Sequence, residues 1–101
     1  MKKFLMATAA AALTAGTVTA GSHSGEIKIG VILGFTGPLE TITPSMGLGA
    51  ERAMKEVTAS GILLDGATVS PVRGDSTCFD AAAATAAAVR LITSDKVDAI
   101  M

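Results

Sequence analysis

The side chains that could perform covalent chemistry are concentrated in one short segment of the chain. Asp75, Ser76 and Cys78 lie there, and Asp80 follows them. A serine or cysteine nucleophile needs an adjacent base to activate it, but the single histidine, His23, lies far upstream. The two aspartates are too isolated to be paired as a general acid and base. The pattern therefore predicts no catalytic residues, and we expect a protein that is not an enzyme.

Patterns that bind cofactors or metals are also missing from the sequence. Gly30, Gly34 and Gly37 lack the spacing of a dinucleotide fingerprint, and no Lys-Ser or Lys-Thr pair follows them to complete a P-loop. His23 has no cluster of cysteines or carboxylates beside it, whereas a stable metal site needs three or four convergent ligands. We therefore expect no cofactor and no metal ion.

Residues 26–38 consist of two contrasting halves. Residues 27–33 are apolar and β-branched except for Lys28, which predicts a strand in the middle of a parallel sheet. Residues 34–38 contain two glycines, a threonine and a proline, the composition of a loop. In open α/β sheets, ligands bind just beyond the carboxyl end of a central strand. This loop is therefore the candidate binding element.

A helical pattern follows over residues 45–60. Thr43 and Pro44 predict its start, with the threonine hydroxyl as a cap, and Gly61 predicts its end. We expect Gly47 and Gly49 to let the helix approach the strand or a ligand closely. Apolar residues at spacings of three and four predict one buried stripe: Met46, Ala50, Ala53, Met54 and Val57. Oppositely charged residues four positions apart predict a solvated face: Glu51 with Lys55, and Arg52 with Glu56.

Two further strands and one helix complete the predicted elements. Residues 67–73 predict a second strand, which must lie at a sheet edge because Pro71 cannot donate a hydrogen bond to a neighbour. Asp80 precedes the alanine-rich run 81–94, which predicts a second helix. Residues 97–101 predict the start of a third strand.

This order of elements predicts an α/β fold with a doubly wound parallel sheet. Since the second strand lies at an edge, the spatial order of the strands should be 2-1-3. Such a sheet keeps an unpaired edge and has too few helices to cover both of its faces. We therefore expect residues 26–101 to be the amino-terminal, incomplete part of a larger lobe.

The first 20 residues have the organisation of a secretory signal peptide. Lys2 and Lys3 supply the basic start, residues 4–13 the apolar run, and residues 18–20 a cleavage site of small residues. The apolar run is too short for a membrane span. Residues 21–25 read as a flexible leader. Without the signal peptide, six basic and nine acidic residues remain, a formal charge of −3. This balance argues against nucleic acid as a partner.

The chain resembles the type I periplasmic solute-binding proteins, and most of all their leucine/isoleucine/valine-binding branch. The resemblance rests on a co-linear series: Ile27-Lys-Ile-Gly-Val-Ile-Leu-Gly-Phe-Thr-Gly-Pro-Leu39, Gly49-Ala50, Ala53, Gly61-Ile62, Gly66, Asp75-Ser-Thr-Cys78, the alanine helix, Leu91-Ile92 and Asp95-Lys-Val-Asp-Ala-Ile100. It covers nearly all of the segment after the signal peptide, and about the first quarter of such a protein. Relatives often carry an aromatic residue after the Gly-Pro pair, whereas residues 40–43 here contain none.

The resemblance implies a periplasmic protein that captures branched-chain amino acids, or related small amino acids or amides, between two lobes. Hinge closure would hold the solute, which an ABC permease of the inner membrane would then receive. A sensor with the same fold remains an alternative: the extracellular part of a receptor, or an amide-responsive regulator. A secreted enzyme would need its catalytic residues beyond Met101.

The resemblance also implies which residues form the site. It places Thr36, Thr41 and Ile42 at the ligand. It further implies a disulfide between Cys78 and a cysteine beyond Met101, because members of the family often join the corresponding loops in this way. A lone cysteine in an exported chain calls for such an explanation. A small buried side chain and a catalytic thiol are the other readings of Cys78.

Overall fold

A computed structural model of the chain describes residues 25–101. The predicted signal peptide, residues 1–20, and positions 21–24 of the leader lie outside this range. Strands and helices alternate along the described chain: β1 Glu26–Leu33, α1 Thr43–Ser60, β2 Thr68–Asp75, α2 Ala81–Thr93 and β3 Ala99–Ile100. A short 3-10 turn, Leu63–Asp65, lies between α1 and β2.

The three strands form one parallel sheet in the order β2-β1-β3, which confirms the predicted class and strand order. The central strand β1 pairs with β2 along its whole length, from Glu26 opposite Thr68 to Leu33 opposite Asp75. Strand β3 is shorter than predicted and covers only two residues. The preceding Val97 N–H donates to the carbonyl of Leu91 and so belongs to the turn that leaves α2.

The outer edge of β2 is closed by side chains. The Val69 N–H donates to the hydroxyl of Thr58, over 2.9 Å. Pro71 has no N–H to expose. The carbonyl of Arg73 accepts a hydrogen bond from Arg90 Nη2, over 2.6 Å. Because exposed strand edges invite pairing with other chains, these three features protect the sheet on this side.

The core is small and centres on Val31 of β1 and Leu91 of α2, both essentially inaccessible to solvent. Two glycines let α2 approach the sheet, because a Cβ added at Gly30 or Gly74 would lie 3.0 Å from the Leu91 side chain. The alanine-rich composition of α2 serves the same close contact. Its start is fixed by Asp80, whose carboxylate accepts hydrogen bonds from the N–H groups of Ala82 and Ala83.

Helix α1 begins at Thr43, two residues before the predicted start, and ends before Gly61, which adopts the left-handed conformation as expected of a C-cap. The predicted buried stripe is wrong for part of its length, because Met46 and Val57 are 56% and 41% exposed and Ala53 is exposed as well. The buried residues of the helix are Thr43, Gly47 and Met54. The helix is therefore rotated relative to the prediction, so that Thr43 and Gly47 face inward together with Met54, and Gly47 contacts Phe35 in the loop that precedes the helix.

Neither helix within residues 25–101 combines the length and the hydrophobicity that a membrane-spanning segment needs.

Candidate functional site

Two loops meet at the carboxyl end of the sheet, where the sequence predicts the binding element. The first loop, residues 34–42, connects β1 to α1, and the second loop, residues 76–80, connects β2 to α2. Since β1 and β2 are parallel neighbours, both loops begin at the carboxyl end of the sheet. The Ser76 N–H donates to the carbonyl of Leu33 over 2.9 Å, which ties the start of the second loop to the end of β1.

Thr43 closes the base of the first loop. Its side chain is buried, and its hydroxyl donates to the carbonyl of Gly34 and approaches that of Leu39 at 3.1 Å. The prediction that this hydroxyl caps α1 is therefore wrong. The N-cap position is Ile42, which makes no side-chain capping bond. Thr43 is already inside the helix, so its hydroxyl reaches back across the loop.

Asp75, the last residue of β2, holds the beginning of the first loop. Its carboxylate accepts a 2.5 Å hydrogen bond from the Thr36 hydroxyl and a 3.4 Å bond from the Thr36 N–H. The Thr77 N–H donates to it over 2.9 Å from the second loop. The hydroxyl of Thr36, and after it the Thr77 N–H, lower the pKa of Asp75 below its ordinary value. The carboxylate thus links both loops.

Phe35 is held between a helix and an arginine. A Cβ added at Gly47 of α1 would lie 2.7 Å from the Phe35 ring, so the helix touches the ring closely there. The guanidinium carbon of Arg73 lies 4.7 Å from the ring centroid. Arg73 in turn binds the carboxylate of Glu51 through two hydrogen bonds, of 2.5 and 3.1 Å.

This bidentate pair corrects the prediction that Glu51 belongs to a solvated face with Lys55. The hydrogen bond from Arg73 lowers the pKa of Glu51, and the same bond raises the pKa of Arg73. The other predicted pair, Arg52 with Glu56, is present at 2.9 Å and is strongly exposed. The expected close approach at Gly49 is also absent, since nothing lies within 4 Å of an added Cβ.

The three predicted ligand residues all lie on the first loop and are exposed. The Thr36 hydroxyl is engaged with Asp75 and retains only its capacity to accept further hydrogen bonds. Thr41 and Ile42 lie in the last turn before α1, where Ile42 is 56% exposed. The turn is fixed by a 2.9 Å hydrogen bond from the Ile42 N–H to the carbonyl of Leu39.

Two cavities flank the site without including those three residues. One, of about 570 Å³, lies along β2 and is lined by Phe35, Arg73, Asp75, Ala83, Ala86, Ala87 and Arg90. The other, of about 350 Å³, lies at the start of α2 and is lined by Ser76, Cys78, Phe79, Asp80, Ala81 and Ala84. In the described part of the chain, no group of three or more potential ligands could hold a metal ion.

Cys78 is exposed and carries a free thiol in this structure, so the reading as a small buried side chain is wrong. Its sulfur lies beside the start of the first loop, because a Cβ added at Gly34 would be 2.8 Å from it. Thr77 and Cys78 both have positive φ angles, 54° and 62°. Such angles are uncommon for residues with a side chain, and here they bring the thiol back toward the first loop.

The residues that hold the first loop were not predicted as a group. Strand β2 extends to Asp75, two residues beyond the predicted strand, so that Arg73 and Asp75 share one face. Their spacing of two is the signal that could have indicated a joint role. The sequence paired Glu51 with Lys55, four residues on, and only the packing of α1 on β2 selects Arg73 instead.

Comparisons with known proteins agree with this architecture. The sequence model of a family described as periplasmic binding protein matches residues 26–101. The chain is 37% identical over 100 residues to proteins named Leu/Ile/Val-binding protein homolog 7 from Brucella abortus, Brucella suis and Brucella melitensis. This alignment covers 99% of the chain and 24% of the length of each of those relatives. No solved structure gives a significant match. The chain therefore belongs to the periplasmic binding protein family.

Proposed function

We propose that the chain forms the first part of a solute-binding lobe, in a protein that captures branched-chain amino acids or related small amino acids and amides. In this proposal residues 1–20 direct export to the periplasm. The protein would deliver its solute to the permease of an ABC importer. The curated relatives are named for binding leucine, isoleucine and valine, which supports this class of solute.

The observation that carries the proposal is the position of the first loop. It projects from the carboxyl end of the central strand, where open α/β sheets bind ligands. Its base is closed by Thr43 and its start is fixed on Asp75, whereas Thr41 and Ile42 remain exposed. A loop that is anchored at both ends and open in between can present side chains to a solute without losing its shape.

The chemistry required of the site is binding alone. Ile42 offers an apolar surface that an aliphatic side chain can cover, and burial of such a surface is favourable at roughly 25 cal/mol per Å². The Thr36 oxygen can accept a hydrogen bond from an ammonium group, since its own proton is already directed to Asp75. A second lobe that closes over this surface would complete the enclosure.

The substitution Ile42→Trp in the full-length protein tests the proposal. Ile62→Trp is the matched control, because Ile62 is 84% exposed and lies at the opposite end of the sheet, between α1 and β2. We expect Ile42→Trp to change which aliphatic, aromatic and amide solutes bind, measured by calorimetry, while folding stays intact. Ile62→Trp should leave the profile unchanged. Identical profiles for both variants would remove Ile42 from the site.

A wild-type protein that binds no leucine, isoleucine, valine or related amide would refute the proposed function itself.

A further inference from the structure

The side chain of Arg73 connects three elements at the edge of the sheet. It extends from β2, binds Glu51 on α1 and lies over the ring of Phe35 in the first loop. We propose that Arg73, oriented by Glu51, is a positioning residue: it fixes Phe35, and through Phe35 the backbone that presents Thr41 and Ile42 to the solute. This inference rests on the proposed function and deepens it.

Helix α1 blocks the Phe35 ring on one side. Gly47 lies so close that even a methyl group there would be 2.7 Å from one ring carbon and 3.1 Å from another. Any displacement of the ring must therefore be directed away from α1. Arg73 bounds the ring from β2, at 4.7 Å from the guanidinium carbon to the centroid. Contacts of this kind between arginine and an aromatic face are attractive.

Glu51 holds the guanidinium of Arg73 in one orientation. Both oxygens of Glu51 accept hydrogen bonds from its guanidinium, and a bidentate pair restricts the plane of that group. The Glu51 side chain is only 18% exposed, whereas in the Arg52–Glu56 pair of the same helix the two side chains are 82% and 68% exposed. Both pairs join an arginine to a glutamate. The arginine of the first pair also contacts the Phe35 ring, whereas both side chains of the second pair are largely exposed to solvent.

The backbone of the first loop moves together with the Phe35 ring. Phe35 lies between Gly34, whose carbonyl accepts from the buried Thr43 hydroxyl, and Thr36, which is fixed on Asp75. The ring is the side-chain anchor between these two points. When it is released, the residues beyond it sample other conformations. The apparent Kd then rises in inverse proportion to the fraction of molecules that keep the competent form.

The test compares Arg73→Met with Arg52→Met in the full-length protein, with L-leucine as the probe. Methionine keeps an unbranched stem and removes the guanidinium. We expect Arg73→Met to raise the Kd about tenfold. This is the increase that results if only about a tenth of the free molecules keep the first loop in its binding-competent conformation. The association rate should fall while the dissociation rate and the binding stoichiometry stay unchanged. Arg52→Met should behave as wild type.

Two further variants separate positioning from general stability. Arg73→Lys keeps the charge but not the planar fork, so its Kd should lie between those of wild type and Arg73→Met. Glu51→Gln should also be intermediate, because the arginine can still lie over the ring. If Arg73 had only a structural role, the Tm or the active fraction would fall while the rate constants of the folded molecules stayed at wild-type values. That result would overturn the inference.

A measurement without ligand keeps the inference independent of the proposed function. Hydrogen exchange at the Glu40 and Ile42 amides, which donate within the first loop, should accelerate in Arg73→Met and not in Arg52→Met. If wild type fails to bind leucine but this difference appears, the proposed function is wrong and the positioning role stands. Equal exchange and equal affinity in both variants would refute the positioning role.

Discussion

Among single residues, Asp75 determines how the two loops respond to acid. Its carboxylate accepts hydrogen bonds from Thr36 and Thr77, and these bonds favour the charged form, so its pKa in the folded protein lies below its ordinary value. Because the pKa is lower in the folded protein, the ionised carboxylate stabilises the fold at pH values above the pKa of the unfolded chain, about 4. This stabilisation is lost as the pH falls through the lower pKa of the folded protein.

We therefore expect the Thr36 and Thr77 amides to keep their protection from hydrogen exchange at pH 5 and to lose it only below about pH 4. The variant Asp75→Asn should show weaker protection at pH 7 and no change across this acid range. Protection factors that fall equally in wild type and Asp75→Asn between pH 5 and pH 2 would contradict the role assigned to this carboxylate.

Cys78 carries the second prediction at this scale. The Ile32 N–H donates to the carbonyl of Met101 over 3.0 Å, so residues that follow Met101 in a longer chain would run along β1 toward Gly34. The Cys78 sulfur already lies beside Gly34. We propose that a cysteine in those residues forms a disulfide with Cys78, a cross-link worth about 2–4 kcal/mol.

Peptide mapping of the full-length protein under non-reducing conditions checks this disulfide. The expected result is one peptide pair that contains Cys78 and separates on reduction. Recovery of Cys78 as an alkylated free thiol from the native, unreduced protein would show that the bond does not form.

Among the elements, α1 offers a comparison between two glycines in the same helix. Gly47 faces the Phe35 ring, whereas Gly49 faces open space. Gly47→Ala should destabilise the full-length protein by about 1–3 kcal/mol, because the ring must move to admit the new methyl group. Gly49→Ala should stabilise it by about 0.5–1 kcal/mol, since alanine is the better helix former. Urea denaturation of both variants measures the two changes.

Equal changes in the free energy of unfolding of the two variants would mean that helix propensity, and not the contact with Phe35, determines the effect of alanine at position 47.

The elements were also the part of the molecule that the sequence predicted best. The β-branched run of β1, the alanines of α2 and the proline of β2 each carry a local signal, and together they predicted the strand order correctly. The rotation of α1 was not predictable in this way. Alanine and methionine satisfy the apolar pattern, but the helix face is selected by Phe35 against Gly47 and by Arg73 against Glu51. These contacts join residues that are distant in sequence.

For the candidate site, the sequence predicted the position of the first loop and left out what holds it. A glycine- and proline-rich segment after a central strand indicates a loop by composition alone. The anchors of that loop are hydrogen bonds from Thr43 and to Asp75, and neither residue type has a unique local role. A threonine before a proline is equally typical of a helix cap.

The molecule as a whole has little buried apolar surface to stabilise it. Within residues 25–101, five hydrophobic residues form the core, and only Val31 and Leu91 among them combine size with full burial. Large apolar side chains remain exposed on α2 and β3, among them Val89, Ile92 and Ile100. Because small domains bury a limited fraction of their surface, we expect residues 21–101, expressed by themselves, to be aggregation-prone or partly molten and not to bind leucine-like ligands measurably.

Scanning calorimetry and titration with leucine check this expectation. A single cooperative unfolding transition together with micromolar binding would contradict both parts of it.

The closed edge of β2 has a consequence for the direction in which the sheet can grow. A short parallel sheet ordinarily offers two sides on which a further strand can dock. Here the Thr58 hydroxyl, Pro71 and Arg90 obstruct one side as soon as α2 is in place. A further strand, from the same chain or from another molecule, can join only beside β3. Assembly of this sheet therefore proceeds in one direction.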